Sequence, residues 1–456
     1  MKKLLNEVLS KIKPNDEERR KEIELGKRVM EKLRKTISKD IGLELVGSIA
    51  KDTNLKDDRD IDIFILFPKK YPKESLERLG LKFAKEAVRP NKWEIGYAEH
   101  PYLKTEIDGS EIEIVPSFKI TSIHQKASSV DRSPLHTRYI LNKLEKEQHD
   151  EVRLLKQFLK RFDIYGAELK IEGFSGYLCE LLITHYGSFE KLLRSAANWK
   201  EPVIDIEGHY SDEKNIKEKF KTPLIVLDPV DMERNVAAAT SQQSLSTFIL
   251  AARAFSKKPS AEFFFLKKPK ISRKELVREI KWRGTKFTCL VFPKPKVVED
   301  ILWPQLKKAA RNIAKHLEFN EFKLFDYGVW SNGKNKCAML FEFEVHKLPK
   351  IKKILGPAIF YEDGVKQFIK KHKNHYGGVW VENDRLVTTK ERKFSDIKDL
   401  IIDVAKNPKS YAIPSHISKG LKNYRLLLDE KIVQEEFYDF LYHYFKKKEE
   451  FLNSLV

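Results

Sequence analysis

The stretch Asp58-Arg59-Asp60-Ile61-Asp62-Ile63-Phe64-Ile65 limits how this chain can fold more than any other. Side chains alternate along a strand, so Asp60 and Asp62 share one face while Ile61, Ile63 and Ile65 turn into a core. One sheet face then carries two carboxylates a pleat apart, close enough to share a hard cation such as Mg²⁺. Gly47-Ser48 lies a loop upstream, where glycine lets the backbone approach a phosphate and a serine hydroxyl or N–H can hold it. Singly each is ordinary, since an Asp-x-Asp is usually a solvated strand edge and a Gly-Ser a turn. Together and in this order they predict metal-assisted phosphoryl or nucleotidyl transfer. Two metals call for a third carboxylate, and the strand Glu111-Ile112-Glu113-Ile114-Val115 offers Glu111 and Glu113 on one face. Alternation does not choose between them.

With 456 residues the chain exceeds one ordinary core, so about three or four units are expected. Apolar residues make up 41%, which argues against disorder despite 34% charged residues. The formal charge of +20 sets up a field that attracts polyanions and points to nucleic acid. Cys179, Cys289 and Cys337 are far apart with no Cys-x-x-Cys spacing, which argues against a disulfide framework and a zinc site. Asn6, Glu7 and Lys11 interrupt the apolar core a signal peptide needs, and no run is long enough to span a membrane. A cytoplasmic protein without membrane contact is expected.

Leu25, Val29, Leu33 and Ile37 recur as one helical face. Alternation then takes over at Leu43-Leu45-Gly47, at 61–65, at 104–108 and at 111–115, with Asp108-Gly109-Ser110 as a hairpin turn. Residues 1–140 therefore read as a catalytic head, a small mixed sheet flanked by helices. Residues 141–260 read as a helical neck, with Val152, Leu155, Phe158 and Leu159 on one stripe and Leu178, Leu181 and Leu182 on another. Residues 261–456 read as body and tail, entered through the basic run Lys267-Lys268-Pro269-Lys270. There a strand at 286–292, a helix at 297–317 and strands at 322–330 and 337–345 give a β-α-β-β order, suited to a ferredoxin-like or RRM-like sheet. The whole is an α+β multidomain chain.

Several ordered runs carry a resemblance. They are Gly47-Ser48 through Lys51-Asp52-Thr53 to the 58–64 strand, Tyr97-Ala98-Glu99-His100-Pro101-Tyr102, and Glu113-Ile114-Val115-Pro116-Ser117-Phe118. Leu154 to Phe158, Tyr165 to Glu168, Gly173 to Tyr177, Asp228-Pro229-Val230-Asp231 and Arg234-Asn235-Val236-Ala237 follow. In this order they resemble the archaeal, class I CCA-adding tRNA nucleotidyltransferases. The resemblance implies a polymerase-β-like head, a helical neck, and a body and tail that hold tRNA. It implies that Asp60, where many relatives have glutamate, and Asp62 bind two Mg²⁺ ions. The third ligand aligns with Glu113, where the family usually has aspartate, and Glu111 stays as the alternative. It further implies that Ser48 and Lys51 hold the triphosphate, that His136, Lys156 and Tyr165 complete the nucleotide pocket, and that Arg234 faces the base. The expected reaction adds C, C and A to the tRNA 3′ end from CTP and ATP without a nucleic-acid template, releasing pyrophosphate; a homodimer is allowed. A poly(A) polymerase or oligoadenylate synthetase using ATP alone is the alternative enzyme, and a catalytically idle RNA-binding protein the alternative from another class. Clustered acids that repel RNA count against the last.

Overall fold

The computed structural model describes residues 1–97, 99–265, 271–375, 377–446 and 450–455. The basic run at 267–270, and Ala98 of the 97–102 run, lie outside the described residues. The chain divides into two compact units, Met1–Lys268 with Glu449–Val456, and Pro269–Lys448.

In the first unit the strands β1 (Gly42–Val46), β2 (Asp60–Phe67), β3 (Trp93–Tyr97), β4 (Pro101–Ile107) and β5 (Ser110–Phe118) form one sheet in the order β1-β2-β5-β4-β3. β2 and β5 are parallel and all other neighbours antiparallel, so the sheet is mixed, as expected. Helices Asp16–Arg34 and Lys73–Ala87 cover one face. Leu25, Val29, Leu33, Leu76 and Ala84 pack there on Ile61, Ile63, Ile65, Ile112 and Ile114. The first of these helices starts at a capping box between Asn15 and Glu18. Ile37, the last residue of the expected stripe, lies beyond its end yet joins the same core. Since every second side chain faces that core, Asp60, Asp62, Glu111 and Glu113 are all turned to the opposite face.

The same unit contains a helical part. Val152, Leu155, Phe158, Leu159, Leu178, Leu181 and Leu182 meet in one core, joined by Leu5, Val8 and Ile12 of the first helix, Lys2–Ile12. Phe158 lies at its centre, its ring 5.1 to 6.3 Å from those of Phe162, Phe189, Phe248, Phe255, Phe263 and Phe264. Sequence periodicity does not anticipate three short strands, β6 (Val203–Ile204), β7 (Ile225–Asp228) and β8 (Asp231–Asn235). The last residues correct the sequence-based division, which puts them in the tail. Phe451 seats its ring 4.9 Å from that of Phe162 and 6.2 Å from that of Phe263, so this segment belongs to the first unit.

In the second unit β9 (Lys286–Pro293), β10 (Lys323–Ser331), β11 (Lys336–Val345) and a late strand, β15 (Arg425–Leu428), line up as β10-β11-β9-β15, with every neighbour antiparallel. This is the ferredoxin-like order, with helix Glu299–Phe319 as the first crossover. Between β11 and β15 the chain forms a separate sheet of β12 (Ile351–Ala358), β13 (Val379–Glu382) and β14 (Arg385–Glu391) in the order β12-β14-β13. Among the described residues no helix is long and apolar enough to cross a membrane.

Candidate active site

Register places the acids. Across β2 and β5, Asp60 stands opposite Glu111 and Asp62 opposite Glu113, while Val46 pairs with Asp62 and Lys104 of β4 with Glu113. Val46, Asp62, Glu113 and Lys104 thus form one row across the sheet. Burial, reinforced by the charges of Glu113 and Asp60, pushes the Asp62 carboxyl up to about 7. Burial also raises Asp60, with Asp58 and Glu111 adding to it, and raises Glu113 despite its ion pair with Lys104. Gly47 follows Val46 at φ +77°, and a Cβ there would lie 2.0 Å from Asp62 Oδ2. Only glycine lets the chain turn this close over the carboxylate.

A cavity of roughly 490 Å³ opens above this row. Gly47, Lys51, Asp62, Tyr102 and Glu113 line its floor, and Ser129, Arg132, His136, Tyr177 and Arg234 line the rest. Asp131, fully buried, braces that wall by accepting from Ser117 Oγ, Phe118 N, Ala127 N and Ser128 N at 2.9 to 3.0 Å. Behind the wall Asp228, also fully buried, binds His136 Nε2 and Arg234 at 2.8 Å each and accepts from Tyr177 Oη at 3.2 Å. The His136 and Tyr177 rings stack at 4.0 Å. Burial alone would raise Asp228, but its bonds to His136 and Arg234 hold it at about 2. Burial keeps His136 below its ordinary value, and neutral His136 donates to Asp228.

Of the sequence-derived residues, Asp62, Glu113, Lys51, His136 and Arg234 line this cavity. Asp60 lines a neighbouring one of roughly 510 Å³ with Glu111, Lys104, Arg59 and Trp93. Ser48, Lys156 and Tyr165 line neither. Lys156, 1% exposed, donates to the Thr53 carbonyl at 2.9 Å. Thr53 Oγ1 and Lys51 Nζ both bind Glu180, at 2.6 and 2.5 Å. Burial would raise Glu180, yet the ammonium groups of Lys51 and Lys156 hold it below the usual range. Tyr165 Oη and Lys156 Nζ both approach Gly176, whose missing Cβ would lie 3.2 and 3.7 Å from them.

No sequence motif marks Glu180 or Lys104, and the run Asp228-Pro229-Val230-Asp231 gives no sign of what Asp228 holds. Glu180 stands 129 residues from Lys51, so no local pattern reveals the pair. Lys104 was within reach, because a hairpin turn pairing Ile107 with Ser110 puts Lys104 opposite Glu113.

The donor set suits a hard divalent ion, with carboxylate oxygens on one face and a glycine-cleared approach beside them. Among the described residues no group of three or more His, Cys, Asp or Glu side chains is gathered tightly enough to enclose an ion. Glu113 is instead paired with Lys104.

Residues 27–144 match the nucleotidyltransferase domain family, 150–265 the second domain of tRNA nucleotidyltransferase, and 283–429 the C-terminal domain of CCA-adding enzyme. The CCA-adding enzyme of Methanocaldococcus jannaschii is 40% identical over 92% of this chain and 94% of its own length. That of Methanoregula boonei is 36% identical over 96% of this chain and 94% of its own, and that of Methanopyrus kandleri 40% over 88% and 86%. An acid row under a nucleotide-sized cavity, relatives aligned nearly end to end and three domain matches in chain order make this enzyme a member of the archaeal CCA-adding tRNA nucleotidyltransferases, within the polymerase-β-like superfamily.

Proposed function

We propose that this enzyme adds C, C and A stepwise to the 3′ end of tRNA from CTP and ATP without a nucleic-acid template. The observation that carries this reading is the row of Asp62 and Glu113 beneath a cavity whose far wall presents Arg234 and His136. In each step the 3′ oxygen bonds to the α-phosphorus, the bond to the bridging oxygen breaks, pyrophosphate leaves and the hydroxyl proton passes to solvent. Asp60, Asp62 and Glu113 would hold two Mg²⁺ ions, which when bound lower the pKa of the attacking hydroxyl and neutralise the triphosphate.

The chain's own residues orient the nucleotide. Lys51, fixed by Glu180, reaches the floor of the cavity and with Ser48 holds the triphosphate. Lys156 and Tyr165 support the pocket from behind, at Gly176 and Thr53. Arg234, held by Asp228, faces the base, and a guanidinium offers donors only. Cytosine and adenine present an unprotonated ring nitrogen on the Watson–Crick edge, where uracil and guanine present N–H. The partners are CTP, ATP and tRNA gripped at its acceptor stem and neighbouring arm, and the reading allows a homodimer acting in the cytoplasm. An enzyme that used ATP alone would have no need of a base-facing group that also accepts cytosine.

Incubation with tRNA lacking its CCA end and each labelled nucleotide separately tests this. CMP should enter twice, AMP once and only afterwards. Open-ended AMP addition without CTP would replace this reading with the poly(A) one.

A further inference from the structure

On this sheet face the four carboxylates of β2 and β5 stand in two directly opposed pairs, Asp60 with Glu111 and Asp62 with Glu113, and Glu106 of β4 adds another opposite Glu111. Like charges placed opposite each other on neighbouring strands repel. Lys104, fixed by register opposite Glu113 on the third strand, is the cation paired with both acids of β5. Its Nζ contacts Glu113 and lies 3.1 Å from Glu111, so one ammonium group serves both acids of β5. Its side chain is 29% exposed, against 23% for Glu113 and 51% for Glu111, so it spans from the inner acid to the outer one. Lysine has a flexible stem and three rotatable donors, which suits transfer between two acceptors.

Resting on the two-metal reading above, we propose that Lys104 is a built-in counter-cation, holding Glu113 until a divalent ion takes that carboxylate and then moving wholly onto Glu111. Glu111 is then a receiving partner for the lysine rather than a metal ligand, which gives both glutamates of the strand a role. Lys104 is a positioning residue. It keeps the acid row from splaying while no metal is bound, and it weakens metal binding because the ion must displace it from Glu113.

The test is titration of Mn²⁺ into the full-length protein without nucleotide or tRNA, with free Mn²⁺ read by electron paramagnetic resonance. Lys104→Met should tighten binding about three- to tenfold, the effect of removing one competing ion pair. Lys104→Arg keeps the charge and should stay within about twofold of the unaltered chain. Glu111→Gln should weaken binding, because Lys104 then stays on Glu113, and should weaken it less in the Lys104→Met background. Unchanged or weaker binding by Lys104→Met, or an Arg variant behaving like the Met variant, would overturn the proposal. An equal effect of Glu111→Gln in both backgrounds would remove Glu111 from it. Asp62→Asn separates this idea from the reading beneath it. If that variant binds Mn²⁺ as tightly as the unaltered chain, the metal reading fails; if it loses binding while Lys104→Met gains nothing, only the role of Lys104 fails.

Discussion

If Arg234 faces the base, as proposed, the choice of nucleotide turns on it. Its partner Asp228 is fully buried and ionised, so the guanidinium is held in place rather than free to follow any base. A donor facing the N–H of uracil or guanine leaves both groups unsatisfied, which costs about 1–3 kcal/mol when buried. Arg234→Ala should therefore lower CTP and ATP use and narrow their lead over UTP and GTP by roughly ten- to a hundredfold in single-turnover incorporation. A merely structural arginine would leave the ranking of the four nucleotides intact. His136 makes the same cluster sensitive to pH. The groups facing it are Asp228, Arg234, Tyr177 and Lys51, and burial dominates, so its folded-state pKa lies below the ordinary value near 6.5. The unfolded chain then takes up this proton first as the pH falls, so the stability tied to neutral His136 is complete above about 6.5 and is lost below it. Between pH 8 and pH 5 the unfolding free energy of the unaltered protein should fall more steeply than that of His136→Gln. Parallel profiles would show that the ring is not buried as a neutral group.

At the scale of elements, the strands were legible because alternation reports burial directly, and β2 and β5 begin with it, isoleucine in and acid out over 60–63 and 111–114, before both faces turn apolar at Phe64, Leu66 and Val115. The β-α-β-β order of the second unit was legible for the same reason. The short helix Gly47–Ala50, the strands β6 to β8 and the placement of Lys156 were not. They depend on partners distant in sequence: Lys156 bonds Thr53 across 103 residues, and β8 is tied to the site by Arg234 on Asp228 and by Asp231 on Lys126 and Arg132. The turn from β1 into its helix gives a sharp test. With φ at +77° and Asp62 Oδ2 2.0 Å from the position of a Cβ, Gly47→Ala combines a left-handed backbone with a clash against the Asp62 carboxylate. Denaturant melts should show a loss of about 1–3 kcal/mol, and CMP incorporation should fall by orders of magnitude as Asp62 is pushed from its row. Ordinary turnover by the Gly47→Ala enzyme would mean that the carboxylate is free to move without cost, against the idea of a preset row.

For the molecule as a whole, the +20 charge and the second unit bear on how RNA is held. That unit contains a cavity of roughly 430 Å³ lined by Lys352, Lys390, Arg392 and Lys393, with Asn320, Glu391 and Phe394 completing it. Arg392 is paired with Glu321, and Lys393 lies 3.3 Å from Asp403, so part of this charge is already compensated. Helical RNA is recognised largely through its backbone and 2′-hydroxyls, and each phosphate contact by a cation releases counterions and steepens the salt dependence of binding. Whole-tRNA affinity should therefore fall steeply with salt. Replacing Lys352, Lys390 and Lys393 together by glutamine should flatten the slope of log K against log salt by about two to three, if all three lysines meet phosphates. CTP binding in the first unit should not change. Filter binding at several salt concentrations, beside calorimetry with CTP, reads both quantities. A slope equal to that of the unaltered protein would move the RNA grip away from this cavity, and a parallel loss of CTP binding would mean that the substitutions had disturbed the fold instead.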